Sequence, residues 1–190
     1  MKREETKGGR PKAQDQAGRL HAYLEAPIKG GADHAVLVET ARVVTAPWVR
    51  LKCRFGCALY GGCLCCPPHS PTPEEMRAIL DSCSYAILLH RRATKKSREA
   101  MEALNEAAVD LERMLFLDGY YKAWATGSGP CDRCPVCDTS GACRHPDRAR
   151  PSMESCGIDV FATARAYDLP IHVVRTKTEE KDFYALVLVE

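Results

Sequence analysis

The stretch TPEEMRAILDSCSYAILLH, residues 72–90, predicts a helix followed closely by a strand. Thr72 has the position of an N-cap, Pro73 that of the first helical residue, and Glu75 that of the partner in a capping box. The segment SYAILLH, residues 84–90, predicts a buried strand, because it is a short apolar run. Helix and strand are therefore expected to share one core.

Helices are predicted on both sides of this stretch. A long helix is expected over residues 96–117, with Gly119 just past its end and with one apolar face formed by Met101, Leu104, Ala108, Leu111 and Leu115. Nearer the N-terminus, Ala17, Leu20 and Leu24 recur at helical spacing, and Pro27 is expected to close that helix. A further helix is expected over residues 157–168.

Strands are predicted in four other segments. Residues 34–51 contain AVLVE, RVV and WVRLK, which are rich in β-branched residues. The remaining segments are 120–126, 171–176 and 183–189. Because helices and strands alternate irregularly, the predicted class is α+β, as a single mixed α/β-sandwich domain with two cysteine-rich metal-binding loops over residues 13–190. Residues 1–12 are charged and are expected to form a flexible tail.

Composition limits the function classes. The 27 lysine and arginine residues nearly balance the 25 acidic residues, for a net charge of +2, which argues against a generic nucleic-acid binder. No apolar run reaches the roughly eighteen residues of a membrane span, and no apolar signal segment begins the chain. A cytoplasmic location is therefore expected. The 11 cysteines are then better explained by metal binding than by disulfides.

The second of two cysteine-rich segments has the more specific spacing. Cys131, Cys134 and Cys137 are separated by two residues each, and Cys143 follows. Three thiolates so spaced suit one face of a cubane iron–sulfur cluster, with the fourth ligand arriving from further along. A zinc site more often uses two C-x2-C pairs, and it stays as the alternative. The positive charges expected to raise the potential of the cluster are Arg133, Arg144, His145, Arg148 and Arg150.

The first segment, CRFGCALYGGCLCCPP, residues 53–68, has five cysteines, one more than a single metal or cubane needs. We expect Cys53, Cys57 and Cys66 to be ligands, with Cys63 as the fourth. Adjacent Cys65 and Cys66 are poor joint ligands of one metal, because neighbouring side chains diverge in extended chain.

Cys156 leaves three alternatives open. It is predicted to precede a helix, which would lower its pKa. It would then complete the first site, act as a reactive thiol, or simply be a small buried residue. Cys83, between a helix and a strand, is expected to pack in the core.

Three segments together resemble a known family: WVRLKCRFGC (48–57), CCPPHSPTPEE (65–75) and CRHPDRARPSMESCGIDVFAT (143–163). The chain resembles, from about residue 35 to its end, a family of small cysteine-rich proteins of anaerobic bacteria and archaea described only as predicted metal-binding proteins. The resemblance implies metal binding by Cys53, Cys57 and Cys66 and by Cys131, Cys134, Cys137 and Cys143. Cys63 and Cys65 are additions to the family pattern. Without Cys63, either Cys156 completes the first site or one iron stays open to water or substrate.

Two functions are predicted. The first is an iron–sulfur protein, with one or two [4Fe–4S] clusters, in electron transfer with a redox partner protein or in cluster-based reductive chemistry. An open iron would make the protein an iron–sulfur reductase or lyase. The alternative is a zinc-stapled protein-binding module without redox activity, in which the basic run Arg91–Arg98 contacts a partner. The absence of Walker, G-x-G-x-x-G, H-E-x-x-H and G-x-S-x-G motifs leaves other common enzyme classes unsupported.

Overall fold

The computed structural model describes residues 13–94, 97–176 and 178–190. Its helices are α1 (Ala13–Leu20), α2 (Glu25–Lys29), α3 (Val49–Gly56), α4 (Pro73–Asp81), α5 (Ser97–Leu117) and α6 (Val160–Arg165). Its strands are β1 (His34–Glu39), β2 (Tyr85–Ala93), β3 (Trp124–Thr126) and β4 (Lys181–Leu188). The predicted tail, residues 1–12, lies outside the described residues, and so do Lys95 and Lys96 of the basic run. Within the described part of the chain, no helix combines the length and apolarity of a transmembrane span.

The four strands form one antiparallel sheet in the order β1-β2-β4-β3. β4, the last strand in the chain, lies between β2 and β3. The chain runs from β2 through α5 to β3 without pairing these two strands, and β4 then pairs with both. Val187 and Ala185 face one side of the sheet, and Leu186 and Tyr184 face the other, as strand alternation requires. This confirms the predicted mixed α+β class.

The sheet is covered on both faces. Leu104, Leu111 and Leu115 of α5 pack with Leu20 against one face, in a core that includes Ile87 and Val187. On the other face, Met76 and Leu80 of α4 pack with Met153 and Ile158 against Leu88 and Leu186. Cys83 is buried in this second core, as predicted.

Local signals predicted several elements correctly. Thr72 Oγ1 accepts a hydrogen bond from the Glu75 amide at 3.1 Å, and Glu75 Oε2 accepts one from the Thr72 amide at 2.7 Å, which completes the capping box. The strand predicted at 84–90 is β2, and the long helix predicted at 96–117 is α5. Gly119 follows α5 with a positive φ of 98°.

Other predicted elements were wrong or too long. WVRLK belongs to α3 rather than to a strand, and Pro27 lies inside α2 instead of closing a helix. Residues 171–176 form no regular strand, and the strand predicted at 183–189 is β4, which lies between β2 and β3. The helix predicted at 157–168 is shortened to α6, and the strand predicted at 120–126 is shortened to β3.

Candidate metal centre

The two cysteine-rich segments meet beside the sheet. Cys63, Cys65 and Cys66 are buried together, and Cys131 and Cys137 of the second segment pack against them. Leu64 donates its amide hydrogen to Cys137 Sγ at 3.5 Å, which joins the two segments directly. The local backbone of the first segment turns tightly, since Gly61, with a φ of 74°, donates its amide hydrogen to the Pro67 carbonyl at 2.8 Å.

A small pocket collects thiols from both segments. We name it the six-cysteine pocket; its cysteines are Cys63, Cys65, Cys131, Cys134, Cys137 and Cys143. The sulfur atoms of Cys63, Cys65 and Cys131 all lie within 4.8 Å of one another. Such spacing is compact enough for sulfur ligands of one centre, since a metal with bonds of about 2.3 Å holds tetrahedral ligands about 4 Å apart.

One thiol of this pocket, Cys131, is arranged for thiolate formation, whereas burial raises the pKa of Cys63. The Cys65 thiol donates to the Cys131 sulfur, which lowers the pKa of Cys131 and raises that of Cys65; the positive charge of Arg133 lowers the pKa of Cys131 further. His145 donates its amide hydrogen to Cys143 Sγ at 3.4 Å. Amide donors to sulfur stabilise the anionic form that a metal requires.

The remaining cysteines of the first segment line a different space. Cys53, Cys57 and Cys66, here called the three-thiol wall, form part of a cavity of about 560 Å³. Burial, the charge and hydrogen bond of Cys63, and the charges of Cys57 and Cys53 raise the pKa of Cys66 to about 12. Cys63, whose thiol interacts with that of Cys66, links this wall to the six-cysteine pocket.

Cys156 lies in the core and not at a helix N-terminus. It ends the turn Glu154–Cys156, and α6 begins only at Val160. Burial raises the pKa of Cys156 to about 12, which is opposite to the predicted direction. The turn packs against α3, which carries Cys53, but Cys156 itself is fully buried among Met76, Leu80 and Met153.

Glu154 was missed by the sequence analysis. It lines the cavity of the three-thiol wall and is accessible from it. The surrounding protein nevertheless desolvates its carboxyl and raises its pKa, against a hydrogen bond from Ser152. Cys65 was likewise not among the predicted ligands, although it belongs to the compact sulfur group.

The arginines around the second segment mainly anchor it to α5. Arg150 forms a two-point ion pair with Glu112, with Nε–Oε2 at 2.7 Å and Nη2–Oε1 at 2.5 Å. Arg148 reaches Asp110 at 2.6 Å and Glu106 at 3.1 Å, and Arg133 also pairs with Glu106. Their charges are therefore largely balanced by carboxylates, which weakens the predicted raising of a cluster potential. Arg144, by contrast, has a long, exposed contact of 3.9 Å to Asp138.

The described arginines of the basic run also form ion pairs with acidic residues of the protein itself. Arg91 contacts Asp33 at 3.3 Å, Arg92 contacts Asp182 at 2.9 Å, and Arg98 contacts Glu102 at 2.7 Å. These internal pairs argue against a free basic surface for a partner.

Comparison with known proteins agrees with the cysteine-based interpretation. The chain matches the family model described as Predicted metal-binding protein (DUF2284) over residues 36–189. No curated protein and no solved structure matches it. The matched region runs from β1 through both cysteine-rich segments to the end of β4, which confirms the extent of the resemblance found in the sequence. The chain therefore belongs to the DUF2284 family of predicted metal-binding proteins.

Proposed function

We propose that the protein is an iron–sulfur protein that holds a [4Fe–4S] cluster in the six-cysteine pocket and a second centre at the three-thiol wall. The observation that carries the proposal is the convergence of six thiols from two distant segments on one pocket. A structural zinc site and a cubane each need four ligands, so the number of thiols suffices for either, and the C-x2-C-x2-C spacing of Cys131, Cys134 and Cys137 is what favours the cubane. Cys131, Cys134, Cys137 and Cys143 would hold the cluster, with Cys63 and Cys65 beside them.

The chain's own groups fit such a centre. The sulfur-directed amides of Leu64 and His145 are the hydrogen bonds that tune an iron–sulfur centre. When bound, a cluster accepts and returns single electrons. The protein supplies the burial, the ligand spacing and the short separation between the two thiol groups, because Cys63 contacts both.

The three-thiol wall has one ligand fewer than a closed four-ligand centre. Because these thiols line a cavity large enough for a small molecule, a centre held by Cys53, Cys57 and Cys66 would have an open position facing a bound substrate. This favours reductive chemistry on a substrate, with electrons delivered by a redox partner protein in the cytoplasm. Cys156 as a fourth ligand stays a prediction, and it would require movement of the turn Glu154–Cys156.

A zinc-stapled module is the second candidate. It is favoured by the compact group of Cys63, Cys65 and Cys131, since the ligands of a cubane bind separate irons and stand farther apart than sulfurs on one zinc. In that case the cysteines only fix two loops against α5, and the protein has no redox activity.

The deciding experiment is to purify the protein without oxygen and measure iron, acid-labile sulfide and zinc per chain. About eight irons with matching sulfide are expected for two cubanes, and about four for one cubane. An electron paramagnetic resonance signal of a reduced cluster, recorded after addition of dithionite, would support a redox function. Zinc without sulfide would overturn the iron–sulfur proposal.

Single variants assign the ligands. Cys134→Ala is expected to remove the centre of the six-cysteine pocket, and Cys57→Ala that of the three-thiol wall, each with about half of the iron of a two-cluster protein. Cys83→Ala is the matched control, since Cys83 is a thiol in the core that lines neither space. Equal iron content in all three variants would contradict the assignment.

A further inference from the structure

The cavity beside the three-thiol wall is also lined by a histidine–aspartate pair near the start of β4. His172 and Asp182 both line this cavity, and His172 Nδ1 lies 3.0 Å from Asp182 Oδ2. We propose that His172 and Asp182 form an acid–base dyad that exchanges a proton with a small, mainly apolar molecule bound in this cavity. His172 is the residue in contact with that molecule, and Asp182 is its positioning residue.

Asp182 is held in one orientation by three nitrogen donors. Its side chain is only 1% exposed. Oδ1 accepts from His90 Nε2 at 2.8 Å and from Arg92 Nε at 2.9 Å, which leaves Oδ2 for His172. An ionised carboxylate only accepts hydrogen bonds, so His172 must carry its proton on Nδ1. Its Nε2 is then the nitrogen that takes up or releases a proton.

His90 stabilises this arrangement from within the sheet. Its Nδ1 lies 2.9 Å from Nδ1 of His34 on the neighbouring strand, and its ring packs on Tyr184 with centroids 4.8 Å apart. If Nε2–H of His90 donates to Asp182, Nδ1 of His90 accepts from His34. Burial lowers the pKa of His90, which keeps it neutral and therefore suited to orienting Asp182 rather than to titrating.

The charges around the dyad favour an ionised Asp182. Burial alone would raise the pKa of Asp182, but the hydrogen bonds from Arg92 and His90 and the charge of Arg92 hold it below its usual range. Glu180 also pairs with Arg92 at 3.8 Å, and Asp33 lies near His90. Glu179 and Lys181 are the charged neighbours on the chain that leads into β4.

The exposure of the two members matches a catalytic pair better than a purely structural one. The His172 side chain is 43% exposed, whereas that of Asp182 is buried. A histidine that acts on a bound molecule must be accessible from the cavity, which a fully buried histidine is not. The hydrogen bond instead fixes a histidine that stays accessible, which is the arrangement of an oriented general acid or base.

The cavity determines the class of molecule. Its volume of about 560 Å³ falls within the range of small-molecule sites. Trp48, Phe161 and Val173 are among the apolar residues of its lining. The expected occupant is therefore a small apolar or aromatic molecule with a single polar atom that accepts or gives a proton at His172.

Chemical modification of the protein as isolated tests the dyad. Diethylpyrocarbonate attacks the unprotonated imidazole nitrogen, and peptide mass mapping gives the rate at each histidine. Because Asp182 fixes the tautomer that leaves Nε2 free, we expect His172 to react about 3- to 10-fold faster than the exposed His69. Asp182→Asn is expected to abolish this difference.

Two further measurements test the same proposal independently. Indole, a small apolar probe, is expected to slow the modification of His172 but not that of His69. Since Asp182→Asn changes a buried residue, the nitrogen-15 chemical shifts of the His172 ring in the unchanged protein provide a measurement independent of folding, and Nδ1 is expected to carry the proton. Equal rates at the two histidines, no protection by indole, or a proton on Nε2 would overturn the proposal. None of these readouts depends on which metal the cysteines bind, so the dyad and the iron–sulfur proposal can fail separately.

Discussion

The neighbouring residues Cys65 and Cys66 show how the backbone divides the thiols between two sites. Successive side chains point in different directions in an extended chain, which made a shared metal unfavourable on sequence grounds. In the structure Cys65 belongs to the six-cysteine pocket and Cys66 to the three-thiol wall. A single residue step therefore separates one candidate centre from the other.

The ion pair of Arg150 and Glu112 allows a stability prediction at the residue scale. Both side chains are only 14% exposed, and Glu112 Oε2 also accepts from the Ala125 amide at 2.7 Å. Arg150→Met is expected to lower the free energy of unfolding by about 2–4 kcal/mol, because it leaves a carboxylate buried without its partner. Urea unfolding of the metal-loaded protein measures this.

Arg144→Met is the matched control for Arg150→Met. Its exposed contact with Asp138, at 3.9 Å, is expected to contribute less than about 0.5 kcal/mol. If both variants lost the same stability, the anchoring role of the Arg150 pair would be refuted.

The buried His90 makes stability depend on pH. Burial lowers its pKa in the folded protein, whereas the unfolded chain binds the proton near pH 6.5. The free energy of unfolding is therefore expected to fall below about pH 6.5, by up to about 1.4 kcal/mol per pH unit for this one proton. Asp182, whose pKa is held low, adds stability above about pH 4 that is lost as the pH falls through its folded pKa.

His90→Gln tests the contribution of this residue. Urea unfolding at pH 7.5, 6.0 and 5.0 is expected to show a flatter dependence for His90→Gln than for the wild-type chain. His21→Gln, at an exposed site, is the control and should keep the wild-type slope. Identical slopes in His90→Gln and wild type would show that His90 does not titrate on unfolding.

At the scale of elements, strong local signals predicted helices and strands better than β-branched composition did. The capping box at Thr72 begins α4, because its hydrogen bonds need only residues three apart. WVRLK is rich in residues that favour strands, yet it forms α3, whose Val49 is buried while Leu51 and Phe55 are exposed. Packing of α3 against the turn Glu154–Cys156, about a hundred residues away, decides between the two.

Gly157 is required where that turn meets α4. Its φ is 76°, and a Cβ there would lie 2.9 Å from the Cα and 2.4 Å from the Cγ of Pro73. Gly157→Ala is expected to lower the free energy of unfolding by about 2–4 kcal/mol, because it combines left-handed backbone strain with a clash against a rigid ring. Thermal unfolding followed by circular dichroism measures the loss.

Gly18→Ala in α1 is the contrasting change. Apart from the helix's own backbone, no atom of the described residues lies within 4 Å of a Cβ built at Gly18, and helical backbone favours Ala. Stability is expected to rise by about 0.5–1 kcal/mol. A loss in Gly18→Ala equal to that in Gly157→Ala would contradict the explanation given for Gly157.

At the scale of the whole molecule, the second cysteine-rich segment lacks regular secondary structure and is held mainly by contacts with other parts of the fold. Residues 130–150 contain no helix or strand, and ion pairs from Arg133, Arg148 and Arg150 join them to α5. Bound metal would add the cysteine links to the first segment, and its binding energy would stabilise the folded segment.

Metal removal is therefore expected to expose this segment selectively. After treatment with a chelator under reducing conditions, trypsin should cleave after Arg133 and Arg144 much faster than in the metal-loaded protein. Arg113, inside the C-terminal part of α5, should stay protected in both forms and serves as the internal control. Unchanged cleavage at 130–150 would show that the segment is ordered without metal. Mass mapping of the fragments gives the result.

The sequence by itself determined the local features of this protein. Capping, apolar periodicity and cysteine spacing depend on residues within about ten positions of each other, so α4, β2, α5 and the existence of two cysteine-rich segments could be predicted. The family membership followed from the same motifs.

Only the tertiary structure decided how these parts meet. β4 enters between β2 and β3, where Asp182 contacts His90 and His172, and residues 171–176 form no strand. The arginine pairs to α5 and the turn at Gly61 bring Cys131 against Cys63 and Cys65. These contacts join residues far apart in the chain, and their stability comes from burial and ion pairing across the whole fold, which no short-range pattern encodes.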